Sequence, residues 1–170
     1  AACKLVDEIH KKAKKPSVSD KLIQYVVIGW AQEAYYYYNG YSPSEAKTKI
    51  KQITYRSTAN DGYTNWHTGL TGAFKKSGYI HSDREVVGQI FFTDGFVNQD
   101  ENNNFARYAS DPNANSVINS ISKAATYLKN KNCTTYFIFG NGVNKIDNEY
   151  ISHRQDSINF AKNRILPAAR

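Results

Sequence analysis

The run Val86-Val87-Gly88-Gln89-Ile90-Phe91-Phe92, closed by Thr93-Asp94-Gly95, decides how this chain of 170 residues folds. Its apolar residues follow one another instead of alternating with polar ones, which predicts a strand buried on both faces. The Asp94-Gly95 pair then supplies a turn. Upstream, residues 22–30 include Leu22, Ile23, Tyr25, Val26, Val27 and Ile28 and predict a second strand of the same kind. Residues 35–38, four consecutive tyrosines ended by Asn39-Gly40, predict a third that forms a hairpin with it.

Helical spacing separates these strands. Ala2, Leu5, Val6, Ile9 and Ala13 recur on one helical face until Pro16 interrupts them. Ser42-Pro43 starts a short helix carrying Ala46, Ile50 and Ile53. Residues 58–68 are polar loop, and residues 69–76 predict a helix ending near Gly78. Residues 98–112, rich in Asn and Asp, predict a long surface loop. Val117, Ile118, Ile121, Ala124, Ala125 and Leu128 predict an amphipathic helix, and residues 134–139 a further strand before Asn141-Gly142. Further on, the pattern suggests one helical turn over residues 149–154, a short last strand over 157–160 and another helix from Arg164. Strands alternating with helices in this way predict a single α/β domain over residues 1–170, with a mostly parallel sheet. Ligands of such sheets bind at the carboxyl ends of the strands.

Composition narrows the function classes. Hydrophobic residues make up 41% and charged residues 22%, a globular balance without the long apolar run of a membrane span. The net charge of +7 favours acidic partners, and Lys11, Lys12, Lys14 and Lys15 form its densest patch. No nucleic-acid motif accompanies that charge, so acidic polysaccharide or matrix is the expected partner rather than nucleic acid. The absence of any Met suggests a processed mature chain, and the cysteines with a glycosylation triplet favour secretion. Cys3 and Cys133 are compatible with one disulfide, and Asn132-Cys133-Thr134 is a glycosylation acceptor triplet on Asn132.

Two segments carry candidate chemistry: Tyr63-Thr64-Asn65-Trp66-His67-Thr68-Gly69, entering a helix, and Ile90-Phe91-Phe92-Thr93-Asp94-Gly95, leaving a strand. A strand-end carboxylate and a hydroxyl on a facing loop are hard oxygen ligands suited to Mg²⁺, Mn²⁺ or Ca²⁺. His10, His67, His81 and His153 have no metal-ligand spacing, and neither a nucleophile elbow nor a Gly-rich phosphate loop occurs, so no enzyme activity is expected.

This ordered set of motifs and elements resembles the von Willebrand factor type A family, of the integrin I-domain kind, across nearly the whole chain. That family's metal-ion-dependent adhesion site combines a first loop Asp-x-Ser-x-Ser, a second-loop threonine before a Thr-Gly helix start, and the aspartate of a strand-end Thr-Asp-Gly. Thr64, five residues before Gly69, matches the second element, and Asp94 matches the third. The resemblance implies a doubly wound three-layer sandwich that acts as an extracellular adhesion or ligand-binding module. Thr64 and Asp94 would hold a divalent cation, completed by an acidic group of a protein or matrix ligand. Asn65, Trp66, His67 and Gly95, with the loop 98–111, would shape the contact.

The chain departs from the family in one respect. It contains no Asp-x-Ser-x-Ser, and no strand precedes the first helix. In the family that strand lies mid-sheet, between the equivalents of 22–30 and 86–92. Two buried unpaired edges are costly. The expectation is therefore that the strand comes from an upstream segment of a longer chain, truncated here at the N-terminus, or from a partner, and that Val26 and Ile90 do not pair directly. A metal-free interaction or structural matrix domain of the same fold is the alternative, ahead of an unrelated α/β enzyme.

Overall fold

A computed structural model describes residues 2–13, 23–53, 63–76, 78–80, 87–93, 97–106 and 111–139. The expectations for Asp94, Gly95, His81, His153 and everything from residue 140 onward lie outside them. Among the described residues helices and strands are mixed, as an α/β chain requires.

Helix α1, Ala2–Ala13, precedes strand β1, Tyr25–Trp30, which pairs antiparallel with β2, Ala34–Gly40. The hairpin runs from Tyr25 opposite Gly40 to Trp30 opposite Ala34, and a register shift leaves Tyr37 as the extra residue between Val27 and Ile28. Helix α2, Pro43–Gln52, begins as its sequence predicts: the Ser42 side chain accepts from Glu45 N at 3.2 Å, and Pro43 occupies the first turn. Tyr25 and Val27 of β1 pack on Ala46 of α2, with Val6 of α1 against the same cluster.

The other face of β1 meets helix α3, Trp66–Lys75. The close approach is set by two glycines: a Cβ on Gly72 would lie 2.9 Å from Ala34, and one on Gly69 would lie 2.6 Å from Trp30. Strand β1 is thus covered on both faces, but only Tyr25, Val27 and Gly29 are buried, an alternating pattern instead of the uniform burial expected. Helix α3 starts at Trp66, ahead of the expected Gly69, because Asn65 caps it and the Trp66 indole is wholly buried.

Strand β3, Val87–Thr93, pairs in parallel with β4, Cys133–Phe139, from Val87 opposite Cys133 to Thr93 opposite Phe139. Between them runs helix α4, Ala114–Asn130, whose buried Val117, Ile121, Ala124, Ala125 and Leu128 repeat at the spacing of one helical face. Ile121, Ala124, Ala125 and Leu128 make the main core with Trp66, Leu70, Phe91 and Cys133, while Val117 packs with Ala106 and Ala114 in a smaller cluster. Each fully buried Leu or Ile there contributes about 1.5–3 kcal/mol. The expectation that β3 is buried on both faces is corrected. Phe92 on β3 and Tyr136 and Ile138 on β4 are exposed, Tyr136 at 61%, because α3 and α4 cover only the opposite face.

Among the described residues the strands form two two-stranded sheets, β1-β2 and β3-β4, and not one continuous sheet. No ladder joins β1 to β3, so Val26 and Ile90 are not paired. Helix α3 bridges the two sheets, packing on β1 and on α4.

The expected Cys3–Cys133 disulfide is also corrected: both are free thiols. Cys3 on α1 donates to Lys47 O of α2 at 3.7 Å, whereas Cys133 is buried in the main core beside α4. Cys133 belongs to the main core cluster and Cys3, half-buried, does not. No described helix is long and apolar enough to cross a membrane.

Candidate functional site

Three backbone segments meet where β1 ends and α3 begins. Residue Ala31 follows β1, and its carbonyl accepts from Asn65 N at 3.0 Å. The chain that leaves Thr93 is next described at Val97 and Asn98, and Asn98 holds Thr64 twice: its Oδ1 accepts from Thr64 N at 2.6 Å and its N–H donates to Thr64 O at 3.1 Å. A third link joins Asn65 Nδ2 to Asp100 O at 2.7 Å. Asn65, Asn98, Gln99 and Asp100 are all buried. The rim is therefore made of polar groups paired with one another beneath a partly exposed Thr64.

Residues 98–106, expected as open surface loop, are tightly built. Gln99 bridges antiparallel to Phe105, and Asn103 takes φ +66°, a conformation Asn tolerates. Tyr63 meets the Phe105 ring edge-on at 5.4 Å. At the centre lies the fully buried Asp100. Its Oδ1 accepts from Asn102 N and Asn104 N, each at 2.8 Å, and its Oδ2 accepts from Asn104 Nδ2 at 2.9 Å and from the Ser116 hydroxyl. Burial alone would raise this carboxyl's pKa, but the bonds from Ser116, Asn104 and Asn102 outweigh it and leave it below the usual carboxylate range. Burial likewise pushes the neighbouring Glu101 up, and the Lys123 ammonium with the Ser120 hydroxyl more than reverses this. His67, half-buried on the first turn of α3, is held below its ordinary pKa by burial and then by the Lys75 and Lys123 charges, with Glu101 opposing them.

The residues named from sequence fare unequally. Thr64 sits on the rim, and no hydrogen bond to its hydroxyl occurs among the described residues. Asn65 and Trp66 are 1% and 0% exposed, so the expectation that they touch a ligand is corrected. Asn65 caps α3 by accepting from Thr68 N at 3.0 Å, and Trp66 fills the core. His67 lies beside the rim with its Nδ1 buried and unpartnered among the described residues. Asp94 and Gly95 lie outside the described residues, as does any contact between Asp94 and Thr64. Asn132 and Thr134 of the acceptor triplet are exposed, with Asn132 at φ +50° in the turn after α4.

As a cation site the described donors are insufficient. No group of three or more His, Cys, Asp or Glu side chains gathers among the described residues. The oxygens of Asp100 are already taken by four donors. Only Thr64 of the expected pair is described, and a hard divalent ion needs about six oxygens. Sequence reasoning missed Asn98 and Asp100, although Asp100-x-Asn102-x-Asn104 has the spacing of a side chain gripping its own following backbone.

No family model matches this sequence, and no curated protein or solved structure is found similar to it.

Proposed function

We propose that the chain is a secreted adhesion or ligand-binding module of the von Willebrand A kind, recognising an extracellular protein or matrix ligand at the rim around Thr64. The observation that carries this reading is the double hydrogen bond of Asn98 to Thr64, which fastens the Thr64 loop to the segment described next after Thr93. Rigidly held polar loops at strand ends are where α/β domains bind ligands. In the ion-dependent form, Thr64 and Asp94 contribute oxygens to a Mg²⁺, or to Mn²⁺ or Ca²⁺, and the ligand's acidic group completes the coordination. The reading assigns no catalytic residue. The exposed Asn132 and Thr134 of the acceptor triplet are consistent with secretion.

A metal-free reading of the same rim is favoured by a specific observation: the buried carboxylate nearest the rim, Asp100, is saturated by protein donors. The rim then recognises its ligand by shape and amide hydrogen bonds. Adsorption to immobilised matrix proteins in Mg²⁺ against EDTA, with Asp94→Ala beside the parent, separates the forms. Loss in EDTA and in the variant supports the ion. Binding indifferent to both selects the metal-free form, and no binding to any extracellular or matrix protein removes the adhesion reading.

In the same reading the sheet is doubly wound and completed by one further strand between β1 and β3, supplied by a segment outside residues 1–170 or by a partner chain. Support comes from α3, which packs on β1 and reaches the second sheet through Trp66 against Phe91 and Phe137, while no ladder joins the sheets among the described residues. An inserted strand would pair with both edges at about 4.8 Å from each.

A further inference from the structure

We propose that Asp100 is the positioning residue of the rim, setting where Thr64 and Asn65 stand relative to α4. The inference rests on the rim being the binding face, as argued above. Every polar atom of Asp100 is engaged. Its N–H donates to Asn104 O at 3.1 Å, and its carbonyl accepts from Asn103 N at 3.1 Å and from Asn65 Nδ2 at 2.7 Å. Its carboxylate ties Asn102 and Asn104 to Ser116 on α4. A second bolt, Glu101 N to Ser120 Oγ at 3.1 Å, fixes the next residue to the same helix.

The path is continuous and short. Ser116 of α4 holds the Asp100 carboxylate, and the Asp100 carbonyl holds the Asn65 amide. The Asn65 Oδ1 then holds the first turn of α3, and Asn65 is joined by a peptide bond to Thr64. One side chain, Asn65, thus uses its oxygen to cap α3 and its nitrogen to reach Asp100. Because Asp100 and Asn65 are buried, opening the link between them leaves an unsatisfied donor and acceptor, so that link opens rarely. A displacement of α4 therefore moves the rim, and a ligand that displaces the rim strains α4.

Asn65→Asp cuts this path at one bond, since Asp retains the capping oxygen and lacks the donor to Asp100 O. Amide hydrogen exchange of the whole chain is the readout, with Thr64 N–H as reporter and Val27 and Leu128 as controls for global opening. The expected result is Thr64 exchange about tenfold faster relative to the controls. Ser116→Ala, which cuts the path at α4, should accelerate Thr64 in the same relative sense. Wild-type exchange at Thr64 in both variants, or acceleration shared equally with the controls, overturns the proposal. Mn²⁺ titration of the unmodified chain runs alongside: absence of binding there counts against the ion-dependent form only, and the exchange result decides the role of Asp100 regardless.

Discussion

The Trp30 indole stacks on the Phe91 ring with centroids 4.6 Å apart and planes 18° from parallel, joining the end of β1 to the middle of β3. Gly69 of α3 is what admits the pair, because a Cβ there would lie 2.6 Å from Trp30 Cδ2 and 2.8 Å from Phe91 Cε2. Both are rigid rings packed in the core. Gly69→Ala gains up to about 1 kcal/mol in helix propensity and loses about 1–3 kcal/mol to overpacking. A net loss is expected, read as a lower urea midpoint; a raised midpoint would show that the rings can yield.

His67 makes stability depend on pH near neutrality. Burial, Lys75 and Lys123 hold its pKa below the ordinary value in the folded chain, with Glu101 opposing them. The unfolded chain takes up a proton near pH 6.5 that the folded one refuses, so the unfolded state binds more protons. The stability present above about pH 6.5 is therefore lost as pH falls toward the lowered folded value. Urea unfolding between pH 7.5 and about 5 should show that slope, and His67→Gln should flatten it. Parallel slopes in the two proteins would exclude His67 as the cause.

Asp100 should govern the acid limb. Its folded pKa is lowered, so its contribution is present above the unfolded carboxylate value of about 3.9 and is lost as pH falls through the folded value. Asp100→Asn should cost about 2 kcal/mol or more at neutral pH, because amide hydrogens then confront the donors that the carboxylate satisfied. Chemical denaturation checks the size. A cost well under 1 kcal/mol would mean that the loop re-forms its bonds around Asn.

Thiol titration of the unfolded, unreduced chain should count two free thiols, since Cys3 lies against Lys47 of α2 and Cys133 lies in the main core. In the folded chain Cys3 should react first, since burial both shields Cys133 and raises its pKa. A count of zero would restore the disulfide expected from the sequence.

Much of the fold was legible in sequence. The 22–30 and 35–38 runs became a hairpin, the Ser42-Pro43 start became a capped helix, and the 117–128 periodicity became α4. What misled was environment. The run 86–92 reads the same whether one face or two is covered, and Phe92 turned out exposed. The Asn-rich stretch 98–106 reads as solvent-facing because amides prefer water, yet Asn98 and Asp100 are buried by bonds to residues more than thirty positions upstream or on α4, and Gln99 is buried while bridging to Phe105 within the loop.

By itself the sequence determined the order and type of the elements among the described residues, because helix caps, turns and apolar periodicity act over a few neighbouring residues. It also determined that Thr64 lies near a helix start and Thr93 near a strand end. Tertiary structure alone decided that Asn65 and Trp66 are interior groups, that Asn98 grips Thr64, and that Asp100 ties the rim to α4. A buried polar side chain is stable only where distant groups supply its hydrogen bonds, and which groups arrive there is settled by packing, not by local pattern.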